Sequence, residues 1–348
     1  MKKILSLMLA LSLVAVMLVG CGGGDNNGNT DEGAVKLGLG TVNSIAKSKD
    51  YVAAVGDTAE VLALGQVDTI MAAATFDKDG KVVGVSIDTA QTKINYDADL
   101  QVSNMDAVLK TKVEKGEEYG MGKVSTIGKE WNEQIAELEN WMIGKTIAEI
   151  KAMNLEEGKP ADEDMKALVT ISVGDYIAAV EKAYNTSIDV AGADKLGLGQ
   201  TISIAKSKGY AAADGDTAEV LPMAQADTVI AATAFNADGK VIGTITDTAQ
   251  IKINFDAEGK VTTDKTAELK TKVEKGEEYG MKKASGIGKE WFEQVAALSE
   301  WMSGKTVSEI TALPVSEGKT TDTDLVSMVT VTVTDYLAVV EESFKNAK

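Results

Sequence analysis

The segment from Lys110 to Trp131 gathers residue types suited to an anionic, ring-bearing molecule. Lys110, Lys112 and Lys115 supply ammonium groups, Tyr119 supplies a ring to stack on, and Gly120 and Met121 stand beside it. Ser125, Thr126 and Gly128 then run into a helix start at Trp131. A helix N-terminus presents N–H groups and the positive end of its dipole, which suits a phosphate. A neighbouring glycine lets the backbone approach closely. The pattern returns at Lys270, Lys272, Tyr279, Gly280, Met281, Ser285, Gly286 and Gly288. The segment also reads as a solvated surface loop with Tyr119 and Met121 packing beneath it. A second candidate is Asp88, Thr89, Gln91 and Lys93, with Asp247, Thr248, Gln250 and Lys252 in the other copy. These side chains could hydrogen-bond the edge of a heterocycle or a sugar-alcohol chain, although Asp/Thr-rich stretches at strand ends also serve simply as turns. Trp131 and Trp141 suggest ring stacking, but their place on an amphipathic helix favours core packing.

What is missing narrows the chemistry further. The chain has 348 residues, no histidine, 53 acidic side chains and 35 basic ones, all lysine, for a net charge of −18. Without histidine there is no Ser-His-Asp or Cys-His machinery and no histidine-held metal. Without arginine there is no bidentate fork for phosphate or carboxylate. The acidic balance argues against a nucleic-acid partner, because there is no basic surface to displace phosphate counterions. No P-loop or dinucleotide fingerprint is present, since Gly38-Leu39-Gly40 lacks the third glycine at the required spacing. No carboxylate pair stands isolated in an apolar setting, as paired-carboxylate hydrolysis would need.

The N-terminus reads as an export signal. Lys2 and Lys3 precede an apolar run from Ile4 to Val19, which is short for a membrane span. Leu18-Val19-Gly20-Cys21 resembles the lipobox of bacterial lipoproteins, whose cysteine is acylated after cleavage. An ordinary secretory signal with an incidental cysteine is the alternative. Residues 1–20 are therefore expected to be a lipoprotein signal peptide, and 21–35 a lipidated flexible tether. Cys21 is the sole cysteine, so the exported chain would contain no internal disulfide.

The elements that must position the candidates are written twice. Lys36-Leu37-Gly38-Leu39-Gly40 returns as Lys195 to Gly199, and the segment Lys110 to Met121 returns unchanged as Lys270 to Met281. A period of about 160 residues is too long for a solenoid and implies two whole domains, 36–190 and 195–348. Within the first, Val67 to Phe76 reads as a strand, Asp77 to Gly80 as a turn, and Lys81 to Ile87 as its hairpin partner. Thr92 to Tyr96 reads as a third strand. Trp131, Ile135, Leu138 and Met142 recur at helical spacing, as do Trp291, Val295, Leu298 and Met302. Thr146 to Glu149 and Thr306 to Glu309 have the form of capping boxes. Val329 to Val333 alternates apolar and polar residues like a strand, and Asp335 to Phe344 reads as a helix. The expected fold class is α+β, two tandem homologous domains, each a mainly antiparallel sheet with helices on one face.

The order of these elements resembles the FMN-binding domain of the periplasmic flavoprotein subunits of sodium-pumping (Nqr) and Rnf-type electron-transfer complexes. More closely, the chain looks like the tandem FMN-binding lipoproteins of Gram-positive extracellular electron transfer. The resemblance is carried by residues 67–94, by residues 110–121, and by Ser285-Gly286-Ile287-Gly288 before the Trp291 helix. In the family a Ser-Gly-Ala-Thr motif stands there, and its threonine takes FMN in a phosphoester bond made by a flavin transferase. Here Ile287 and Gly288 replace the alanine and threonine, and Ser125-Thr126-Ile127-Gly128 keeps only the serine. Attachment of FMN is therefore left open between covalent and non-covalent. The resemblance implies an electron carrier rather than an enzyme with its own substrate, on the outer face of the cell membrane. A membrane quinol oxidase would be its electron donor. The rival expectation is a cofactor-free surface lipoprotein that binds cell wall or a partner. A solute-binding lipoprotein fits less well, because those proteins close two unlike lobes around one ligand.

Overall fold

The computed structural model describes residues 34–348; the expected signal peptide, Cys21 and most of the tether lie outside the described residues. The first half opens with an antiparallel meander of β1 (Ala34–Ser44), β2 (Leu64–Phe76) and β3 (Val82–Asn95). A one-turn helix, α1 (Lys112–Lys115), leads through a tight turn to α2 (Trp131–Met142) and α3 (Ile147–Lys151). A two-residue ladder of β4 (Leu155–Glu156) with β5 (Lys159–Pro160), a short α4 (Glu163–Lys166) and a longer α5 (Gly174–Asn185) follow. β6 (Ile188–Ala193) then returns to β1, giving the strand order β3-β2-β1-β6.

The second half repeats this order. β7 (Lys195–Ser203), β8 (Met223–Phe235) and β9 (Val241–Asn254) form a sheet in chain order. They are followed by α6 (Lys272–Lys275), α7 (Trp291–Met302) and α8 (Val307–Thr311). The ladder of β10 (Val315–Ser316) with β11 (Lys319–Thr320) and the helix α9 (Thr334–Lys345) close the chain. The fold is thus α+β, built on antiparallel sheets with helices against one face of each.

Two expectations change. The supposed third strand is the continuation of the second, because β3 pairs with β2 without a break from Gly84 to Asn95. The Asp-Thr-Ala-Gln stretch is therefore mid-strand and not a turn. Residues 329–333 form no strand; they make one bridge, Lys319 to Thr332, while Val329 and Val333 pack inward.

Burial on both faces explains the nearly unbroken apolar run of β2. One face meets the helices: Phe76, Val82 and Ile87 pack with Trp131, Leu138, Met142 and Val180. The other face meets the second sheet. Val67, Ile94 and Tyr96 pack with Ala226, Ile251 and Phe255, and Leu37 and Met71 with Leu198 and Ile230. The layers run helices, sheet, sheet, helices. Tyr51 N–H donates to the Gly259 carbonyl at 2.9 Å, and Tyr210 N–H to the Leu100 carbonyl at 3.0 Å. These bonds exchange equivalent partners between the halves, as an approximate two-fold axis requires.

The repeated Lys-Leu-Gly-Leu-Gly motif has a packing role. A Cβ added to Gly38 or Gly40 would overlap the carbonyl oxygens of Ala183 and Ala179 on α5. Gly197 and Gly199 stand in the same way against Ser343 and Val339 on α9. The glycines let a helix lie directly on a strand backbone.

Candidate functional site

A cavity of about 370 Å³ opens in the first half between the end of β1, the middle of β2 and β3, and the starts of α1, α2 and α5. Trp131, Tyr119, Met121 and Tyr176 form much of its wall, and Lys47, Asp68, Thr89, Lys112 and Asp175 supply its polar groups. Each is placed by a local device. Thr111 caps α1 and accepts from Glu114 N–H, which fixes Lys112 in the first turn. Trp131 is the first residue of α2, and its indole N–H donates to the Tyr176 hydroxyl on α5 at 3.0 Å. Thr89 lines the cavity from β3, with its buried hydroxyl beside the Tyr176 phenol.

Lys112 is the electrostatic centre. Its Nζ lies 5.1 Å from the centre of the Tyr119 ring and 5.0 Å from that of Trp131. Two ring faces stabilise the cation, while burial pushes its ammonium down to about 8. Lys272 repeats this between Tyr279 and Trp291, each at 5.1 Å, and burial lowers its affinity for the proton as well. Lys47 stands opposite Asp68 at 3.5 Å, and Lys206 opposite Asp227 at 3.2 Å. In the second half the Thr248 and Tyr336 hydroxyls lie 3.4 Å apart, and Tyr176 stands against Thr89 in the same way. Burial pushes the Tyr176 and Tyr336 phenols up to about 12.

The structure brings Thr89, Lys112, Tyr119 and Met121 together, and disperses the other candidates of the first half. Asp88 projects from the opposite face of β3, as strand alternation dictates. It is buried and accepts from Thr89 N–H at 2.6 Å and Val113 N–H at 3.1 Å. It ties α1 to the strand and so positions Lys112 from below. Asp247 does the same through Thr248 and Val273. Burial pushes both carboxyls up to about 6. Gln91 and Lys93 share the face of Thr89 but lie farther along the strand, and Lys93 is exposed. Lys110 pairs with Glu118 at 2.8 Å at the surface.

The glycine loop is bound up in its own structure. Gly120 and Gly280 end the tight turn in left-handed geometry, at φ 76° and 74°. Gly128 and Gly288 also have positive φ, while Thr126 and Gly286 are exposed. The Ser125 hydroxyl accepts from the Gln134 side chain at 3.3 Å, and Ser285 from Gln294 at 3.1 Å. Gln134 in turn accepts from Thr170 N–H at 2.8 Å, locking the loop to the segment before α5. The start of α2 is not open to an anion. Glu130 accepts from Met121 N–H and Glu133 from Glu130 N–H, so two carboxylates already sit there.

In the second half Thr248, Lys272, Tyr279 and Met281 stand as their counterparts do, around Trp291 and Tyr336. Gln250, Lys252 and Lys270 instead line a separate polar groove of about 470 Å³ at the open edge of β9, with Lys275, Glu268 and Glu278. Sequence reasoning missed Lys47, Asp68, Asp175 and Tyr176 as cavity residues. Repetition alone marked some of them, Lys47 returning as Lys206 and Asp175-Tyr176 as Asp335-Tyr336. Trp141 is held away from the cavity, its ring under Lys145 at 4.6 Å. Among the described residues no cluster of acidic or cysteine side chains could hold a metal ion, and no helix is long and apolar enough to cross a membrane. Comparison with family models, curated proteins and solved structures finds no match to this chain.

Proposed function

We propose that each half holds one FMN and that the chain is a lipid-anchored electron carrier outside the cell membrane. The observation that carries this reading is the Lys112 cavity. It joins an aromatic wall, an ammonium with no ion pair among the described residues, and a threonine hydroxyl beside a phenol. That set suits a flat polar ring bearing an anion. Lys112 and Lys47 face the phosphate, in place of the α2 N-terminus that Glu130 and Glu133 have taken. Thr89 donates to the ring edge, and Tyr119, Met121 and Trp131 line the slot and exclude water. Bound flavin supplies the electron transfer, and the protein supplies position and electrostatics. Because Gln134 and Gln294 engage the Ser125 and Ser285 hydroxyls, the reading takes FMN as held non-covalently, with no need of a flavin transferase. A membrane quinol oxidase would supply electrons, and acylated Cys21 would keep the carrier beside it. The net charge of −18 favours neutral or cationic acceptors.

The test is titration of the purified chain with FMN, followed by intact mass under denaturing conditions. Two equivalents should bind, Lys112→Met and Lys272→Met should each weaken one site by about tenfold, and the denatured mass should show no adduct. Absence of saturable binding would refute the proposal. In that case the cofactor-free surface module is the better reading, and the two carboxylates at the start of α2 are the feature that favours it.

A further inference from the structure

The two halves differ most tellingly where the edge strand of each sheet meets its long helix. In the first half Glu139 of α2 is buried, and its carboxylate accepts from the Ile87 amide at 2.6 Å. Lys348, from the far end of the chain, pairs with its second oxygen. The buried carboxylate occupies the space between helix and strand, and the half-exposed lysine closes over it.

In the second half each of these parts is replaced. Ser299 stands at the position of Glu139, Ile188 at that of Lys348, Phe292 at that of Asn132, and Thr246 at that of Ile87. A cavity of about 490 Å³ results between α7, β9 and the start of β6. Its wall is apolar, with Ile188, Ile242, Val273, Phe292 and Val295 the main contributors. Thr246 lies in that wall at 4 % exposure, and its hydroxyl has no hydrogen-bond partner among the described residues. Its backbone stands opposite Ala231 in the register that Ile87 holds opposite Ala72. The Thr246 amide therefore points outward, as the Ile87 amide does toward Glu139. The charged lining residue is Glu300, and no lysine lines the cavity.

We propose that this cavity binds an uncharged, largely apolar small molecule through one carbonyl oxygen, which accepts from the hydroxyl and amide of Thr246. The first half shows that an oxygen acceptor fits on this amide, because its own glutamate puts one there. The second half has removed both that acceptor and its lysine, leaving donors unmatched in an apolar slot. An unmatched buried donor is costly, so an acceptor entering the slot gains more than it would at the surface. A carboxylate would enter without a counter-cation and beside Glu300, which selects against anions. This site is separate from the Lys112 cavity and from Lys272, and it does not depend on the flavin proposal.

The test uses the full chain and two probes, octan-2-one and octanoate, with binding followed by calorimetry and by ligand-detected NMR. Octan-2-one should bind saturably at one site, and octanoate at least about tenfold more weakly. Ser299→Glu, which copies the first half, should abolish binding of the ketone. Thr246→Val keeps the shape but removes the hydroxyl and should weaken binding about fivefold or more. Lack of saturable ketone binding to the wild-type chain would overturn the proposal. So would equal affinity for the two probes, or ketone binding to Thr246→Val as tight as to the wild type. Retained thermal unfolding of Thr246→Val keeps the test valid should Ser299→Glu fail to fold.

Discussion

Asp88 and Asp247 show how a residue can serve a site without entering it. Each is a buried carboxyl held by two backbone amides, with burial raising its pKa to about 6. A carboxyl whose folded pKa is raised binds more protons in the folded state than in the unfolded one. Its contribution is therefore fully present below the unfolded value near 3.8 and is lost as pH rises through about 6. Relative to Asp88→Asn/Asp247→Asn, the wild type should gain about 2 kcal/mol or more between pH 7 and pH 4. Denaturant unfolding of both proteins across that range measures it, and a constant difference would refute the assignment. The amides that Asp88 and Asp247 engage could not be read from the sequence. Val113 lies 25 residues from Asp88 along the chain, and the pairing exists only because α1 packs on the strand edge. Lys112 and Tyr119, by contrast, were legible as candidates, since their types and spacing alone suggest an anion beside a ring.

At the scale of elements, the local signals were the most faithful. The Trp131-Ile135-Leu138-Met142 stripe is buried throughout, and the Thr146 and Thr306 capping boxes form as read. The Asp77–Gly80 turn forms too, with Asp77 accepting from Asp79 and Lys81 amides. The break read at Asp88 failed because polar residues usually mark strand ends, whereas here the Asp88 carboxylate is satisfied by α1 and the strand runs on. The role of Gly38 and Gly40 was equally hidden, since only tertiary packing reveals the helix above them. Gly40→Ala should force α5 from β1 and destabilise by about 2–3 kcal/mol. A matching loss is expected for Gly199→Ala against α9. An unfolding midpoint unchanged by either substitution would contradict the close approach.

Across the whole molecule, the repetition in the sequence is compatible with the recurring element order, but it did not reveal that the two sheets pack face to face. The apolar run Ile70 to Ala74 in β2, matched by Val229 to Ala232 in β8, was the signal, because a sheet covered on one face alone would alternate. Each sheet buries its second face on the other half, so neither half is expected to stand alone. A chain of residues 34–194 should self-associate through its exposed sheet, using the two-fold contacts that Tyr51 and Leu100 make here with their counterparts. Sedimentation of that fragment should show a dimer or larger species, and a stable folded monomer would contradict this packing.

The Lys112 cavity and the equivalent residues around Lys272 are the centre of the functional account, and equilibrium dialysis against FMN tests them directly. The wild-type chain should retain two FMN, and Lys112→Met/Lys272→Met should retain markedly less at the same free concentration while unfolding at a similar temperature. Retention of no FMN by the wild type, or of two by the double variant, would contradict the account.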